Sequence, residues 1–119
     1  MTEQIFKRPL PHEKLRVFRI ALEVIDIVRE ANIRDAVDRD QAKRSSKSVA
    51  RNIIEAAGRR SPADKARVYA IARGEACETI ATLEIAMRAG DCERIHYERA
   101  LELTHALYAI LTVLSTQRP

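Results

Sequence analysis

Tryptophan is absent from the 119-residue chain, and phenylalanine and tyrosine together make up only 4% of it. Proteins that hold single strands by stacking bases need more aromatic surface than this, so stacking is not the chemistry to expect. Cysteine is nearly absent: Cys77 and Cys92 form no Cys-x-x-Cys pair and stand beside no cluster of histidines, which argues against a zinc site or a disulfide framework. Two buried thiols are the expectation. Long apolar runs are also missing, because the 46% of hydrophobic residues recur at helical spacing among 32% of charged ones. The segment Met1 to Leu10 has Lys7 and Arg8 but neither the apolar stretch nor the small-residue cleavage site of a secretory signal. A single domain over 1–119, cytoplasmic and without membrane contact, is therefore expected, with no room for a second catalytic domain.

Four amphipathic segments fill the chain. Pro9 and Pro11 keep the N-terminal arm extended, and helix one follows over roughly 12–33, with Leu15, Phe18, Leu22, Ile25 and Val28 as its core seam. Val17, Ile20, Ala21, Val24 and Ile27 widen its apolar face beyond the needs of one seam. Helix two, over 38–57, is capped by Asp35 or Asp38 and turns Ala42, Ser45, Val49, Ile53 and Ala56 inward. Gly58 offers a permissive end, and Ser61-Pro62-Ala63-Asp64 has serine at the cap and proline at the first helical position. Helix three, over 62–89, faces inward with Val68, Ala72, Ala76, Thr79, Leu83 and Ala86. Its internal Gly74 costs about 1 kcal/mol relative to alanine unless it permits a close helix contact. Helix four, over 92–115 with Asp91 as cap, carries Ala100, Leu103, Leu107, Ile110 and Leu114 on one stripe and spreads Leu101, Tyr108, Leu111 and Val113 further round. Four long helices joined by short turns predict an all-α, antiparallel up-down four-helix bundle. The surplus apolar surface of helices one and four predicts self-association, with Val17, Ile20, Leu101 and Tyr108 as interface residues.

Catalytic patterns are weak. Glu93-x-x-His96 and Glu102-x-x-His105 have the spacing of carboxylate-bridged metal sites, but both lie on helix four, nine residues apart, and face nearly opposite directions at about 100° per residue. Glu75 and Glu78 have no nucleophile, phosphate loop or histidine near them, and paired carboxylates on a helix usually meet arginines. Ser45, Ser46 and Ser48 lack any nucleophile-presenting motif. No catalytic residue, cofactor or metal is expected, and a metal-dependent enzyme is the third reading.

Charge distribution is more informative than the net charge of +4. Between Gln41 and Arg73 stand nine bases (Lys43, Arg44, Lys47, Arg51, Arg59, Arg60, Lys65, Arg67 and Arg73) against Glu55 and Asp64, a local charge of +7 that leaves −3 elsewhere. Lysine and arginine on phosphates supply sequence-independent, salt-sensitive affinity for RNA or DNA. Lys43, Arg44, Lys47, Arg51, Arg59 and Arg60 are the candidate nucleic-acid contacts, by backbone or shape rather than base stacking. The competing reading is a solvated helical face on a protein-only assembly hub.

The segments Gln41 to Glu55 and Ala70 to Thr79, above all Ser48-x-x-x-Asn52-Ile53-x-Glu55 and Gly74 with Glu78, resemble the four-helix-bundle proteins encoded in intervening sequences of bacterial 23S ribosomal RNA genes. Leu15 to Ala21 resembles that family's opening helix, so the likeness spans nearly the whole chain. Phe18 stands where the family usually has tryptophan, and Ala56 where it commonly has glycine. The resemblance implies a cyclic homo-oligomer, typically a pentamer. It also implies kinship with accessory proteins of diversity-generating retroelements, which bind nucleic acid and a reverse transcriptase. Repetition round a ring would concentrate the basic stretch and strengthen weak contacts.

Overall fold

The computed structural model describes residues 10–13 and 15–116. The expected extended arm at Pro9, with Lys7 and Arg8, lies outside the described residues. Four helices follow: α1 Arg16–Ala31, α2 Ala36–Gly58, α3 Pro62–Arg88 and α4 Arg94–Leu114. No strand occurs among the described residues, so the fold is all-α.

Side-chain and backbone caps set most of the boundaries. Before α1 the chain makes a turn, with Glu13 N–H donating to the Leu10 carbonyl and Leu15 N–H to that of His12, so the helix begins four residues later than 12. It ends at Asn32, whose φ of 45° is left-handed, a conformation that asparagine tolerates. Of the two caps open for α2, the structure uses Asp35, whose carboxylate accepts from Asp38 N–H at 2.9 Å. The helix therefore starts at Ala36 rather than 38. Ser61 caps α3 as its sequence predicts, accepting from Asp64 N–H at 3.1 Å, with Pro62 in the first turn. Gly58 is not used for its freedom, since Gly90 is the one glycine of positive φ among the described residues.

At the end of α3, Gly90 (φ 80°) lets its own N–H reach Met87 O at 3.1 Å and Asp91 N–H reach Ala86 O at 2.8 Å, a Schellman closure. Asp91 is thereby bound to the helix behind it and does not cap the one ahead. α4 starts at Arg94 behind Glu93, with no side-chain cap. Arg34 in the α1–α2 loop donates its backbone N–H to Asp91 O at 3.0 Å and its guanidinium to Gly90 O, which fastens the two loops together.

Each helix packs on the next in the chain, and α1 packs on α4. Within this closed circuit, Ile27, Ile33, Ile53, Leu83, Leu107 and Leu111 are buried at 2% exposure or less. The seam of α1 differs from the sequence reading. The core takes Val17, Ile20, Ala21, Val24, Ile27, Val28 and Ala31, while Leu22 is 41% exposed and Leu15, Phe18 and Ile25 are half-buried. Both stripes are apolar and lie one residue, about 100°, apart, so periodicity alone does not separate them. Gly74 also departs from expectation. It faces outward, and a Cβ placed there meets nothing within 4 Å, so no close contact among the described residues accounts for it.

Two substitutions test this placement. In urea denaturation, Ile27→Ala costs about 2–5 kcal/mol and Leu22→Ala less than about 1; reversed magnitudes would mean that α1 is rotated. Gly74→Ala raises stability by about 1 kcal/mol, through restored helix propensity alone. A loss would reveal something packed on that position.

Candidate nucleic-acid interface

The basic face of α2 is positioned by what lies behind it. Ala42, Ser45 and Val49 on α2 and Ala72, Ala76 and Thr79 on α3 are all 2% exposed or less, and their small side chains form the seam between these helices. Burial obliges the hydroxyls on it to find partners. Thr79 Oγ1 lies 2.7 Å from Ser45 Oγ and 2.9 Å from the Glu75 carbonyl oxygen. At the rim, Arg44 bridges Glu75 at 3.4 Å and Glu78 at 3.1 Å, and Gln41 donates its amide to Glu78. Ser48 contributes a hydroxyl to Glu75, and Asn52 Nδ2 donates to Ser48 O at 2.8 Å. Partial burial pushes the Glu75 carboxyl up, but Ser48, Glu78 and the Arg44 guanidinium outweigh it and hold the group below its ordinary value. As the sequence implies, the two carboxylates meet an arginine.

The six candidate contacts divide into two sets. Arg44 is committed to Glu75 and Glu78, and Arg59 to Glu55 and, at 3.3 Å, to Asp64. Lys43, Lys47, Arg51 and Arg60 are exposed and make no ion pair or side-chain hydrogen bond among the described residues. Lys43, Lys47 and Arg51 recur every four residues and form one stripe along α2, while Arg60 projects from the turn after it. The other three bases of the stretch are engaged. Lys65 Nζ donates to Ala57 O at 2.9 Å, Arg67 pairs with Asp64 at 3.2 Å, and Arg73 lies over the Tyr108 ring at 5.5 Å. Tyr69, the aromatic of the stretch, is a core residue at 5% exposure. Phosphate contact is the chemistry this surface offers.

Residues 14–113 match the family described as 23S rRNA-intervening sequence protein. The chain belongs to that family. No curated protein matches it significantly. The residues that carried the resemblance join α2 to its surroundings: Ser48 and Glu78 lie on the polar rim, Asn52 ties back to Ser48, and Glu55 holds Arg59. Phe18, in place of tryptophan, meets His12 edge to face at 4.9 Å, and Ala56, in place of glycine, is fully buried.

The interface residues read from the sequence need correction. Val17 and Ile20 are 1% and 6% exposed within the chain's own core, so neither is open to another subunit. Leu101 is half-buried, and Tyr108, though 44% exposed, has its ring face covered by Arg73. Exposed apolar surface lies instead at Leu22, Ile54, Ile71, Ile85, Ile95 and Val113. The two thiols also differ from expectation: Cys77 is exposed and Cys92 half-buried, where burial and then Asp91 push its thiol up. His96 is half-buried at 4.0 Å from Glu93, and His105 is exposed. Among the described residues, no three metal-ligating side chains gather.

One charged feature escaped the sequence reading. Glu23, Asp26, Glu30 and Glu102, with Arg99 among them, line one end of a groove between α1 and α4, and Arg16 and Arg19 line the other. The 3- and 4-residue spacing of Glu23, Asp26 and Glu30 was the available signal.

The Glu75 carboxylate generates a pH prediction. Its folded-state pKa lies below the ordinary 4.5, so its contribution to stability is complete above that value and is lost as pH falls through the lower folded value. The stability gap between the wild-type protein and Glu75→Gln, read from urea melts, should narrow from about pH 6 to about pH 3. A gap that stays constant would remove the charge from the account.

Proposed function

We propose that this protein is a non-enzymatic accessory or scaffold that associates with nucleic acid or a ribonucleoprotein through the basic face of α2. We further propose that its four helices form an antiparallel up-down bundle assembling into a cyclic homo-oligomer, as the family resemblance implies for a pentamer. The circuit of helix contacts and the two short loops tied together by Arg34 support the bundle. The observation that carries the functional reading is the set of four bases, Lys43, Lys47, Arg51 and Arg60, left without an acidic partner among the described residues while Glu55 and Asp64 are consumed by Arg59 and Arg67. Several copies would multiply weak phosphate contacts by effective concentration. A reverse transcriptase is the protein partner that the resemblance suggests. The exposed Ile95 and Val113 on α4 favour a second reading, a hub that binds proteins alone.

The double variant Arg51→Glu/Arg60→Glu tests the first reading against structured RNA and duplex DNA. Affinity should fall at least tenfold, and the slope of log K against log salt should drop by roughly two, one for each lost phosphate contact. Unchanged affinity would move the hub reading to the front.

A further inference from the structure

We infer that the groove between α1 and α2 is a docking surface for a second copy of this chain, which presents the acidic groove between its own α1 and α4. The inference rests on the cyclic self-assembly proposed above and names the surfaces that make it. The receiving groove has Ile25, Val28 and Ser46 in its floor, and Arg29, Lys43 and Lys47 at its rim. Ile54, on the Lys43–Lys47 face of α2, extends its apolar border and is 40% exposed. An apolar strip edged by cations matches an occupant with apolar surface and carboxylates.

The chain carries such an occupant on the other side of α1. The end of the groove lined by Glu23, Asp26, Glu30 and Glu102, with Ile27 and Leu103, holds Arg99, which is paired with Glu30 at 3.4 Å, while Arg16 and Arg19 line its other end. One groove thus presents three cations and no acid, and the acidic end of the other, from Glu23 to Glu30, a net charge of three negative. Asp26 reaches over the crest to Arg29 at 3.2 Å, an exposed pair that exchanges partners at little cost.

The two grooves flank the same helix, and in a four-helix cross-section they face directions about a right angle apart. Unlike patches meeting head to tail, with such a turn between them, close into a small ring rather than extending into a filament. Arg51 stands about 80° round α2 from Lys43, toward α3, and Arg60 lies past the helix end, so both stay outside the contact. Phosphate binding by the ring then falls to Arg51 and Arg60, while Lys43 and Lys47 hold the neighbour.

Charge exchange tests the contact. Sedimentation velocity at micromolar concentration should show the wild-type protein as an assembly, and Lys43→Glu/Lys47→Glu and Glu23→Lys/Glu102→Lys each at the 13.5 kDa of one chain, with helicity retained. An equimolar mixture of the two variants should regain high mass, because each supplies the charge the other lacks. Arg51→Glu/Arg60→Glu should keep the wild-type mass. A Lys43→Glu/Lys47→Glu variant with wild-type mass, or a mixture that stays monomeric, would overturn the docking surface while leaving self-assembly standing. A monomeric wild-type protein would overturn both.

Discussion

The small-residue seam between α2 and α3 is the constraint on which the remaining structure depends. Its residues are buried, so the hydroxyls of Ser45 and Thr79 must find partners within it: Thr79 meets Ser45 across the contact, and Ser45 donates to the Ala42 carbonyl. An orphaned hydroxyl there would cost about 1–3 kcal/mol. Burial also decides where charge can go. The flanks of the seam accept Glu75 and Glu78 because Arg44 bridges the two carboxylates and the Gln41 amide donates to one of them at its rim. Lys43, Lys47 and Arg51 have no place there and stand on the outer face of α2. α1 and α4 then close the other side of the core with larger side chains, Ile27, Leu107 and Leu111 among them.

That division of charge separates structural bases from available ones. Nine bases in one stretch suggest a strongly positive surface, yet five of them are engaged within the chain: Arg44, Arg59 and Arg67 on carboxylates, Lys65 on a helix-terminal carbonyl, and Arg73 on an aromatic face. Of the remaining four, Lys43 and Lys47 belong to the proposed contact between copies, and Arg51 and Arg60 give a modest patch, which a single copy would use weakly. Repetition of the patch in an assembly connects the proposed nucleic-acid role to the proposed ring. The acidic groove across α1 makes the chain electrically two-sided, which favours head-to-tail over like-to-like association.

Much of the fold was legible in the sequence because its signals are local. Ser61 with Pro62, and Asp35 before α2, declare helix starts through their own backbone chemistry, and the inward stripes of α2 and α3 alternate cleanly with charge. The stripe of α1 was misread because apolar residues cover more than half its circumference, and only contact with α2 and α4 selects Val17, Ile20 and Val24 over Phe18 and Leu22. Val17 and Ile20 were consequently assigned to an interface. Asp91 looked like a cap but is held by the Schellman closure at Gly90, which depends on backbone geometry and not on side-chain type. In the candidate site, the exposure of Lys43, Lys47 and Arg51 follows from their spacing opposite the core stripe. The loss of Arg44 to ion pairs does not, because Glu75 and Glu78 belong to a different helix, whereas Glu55, four residues before Arg59, was the available signal for that pair.

The central claim is that exposed bases on an assembled particle bind nucleic acid through phosphates. Its most direct test is a salt series on the wild-type protein with structured RNA and duplex DNA, recording particle mass in the same samples. The account predicts binding by an intact oligomer at low salt, with log affinity falling linearly as log salt rises. Absence of binding at about 50 mM salt, or affinity indifferent to salt, would contradict it.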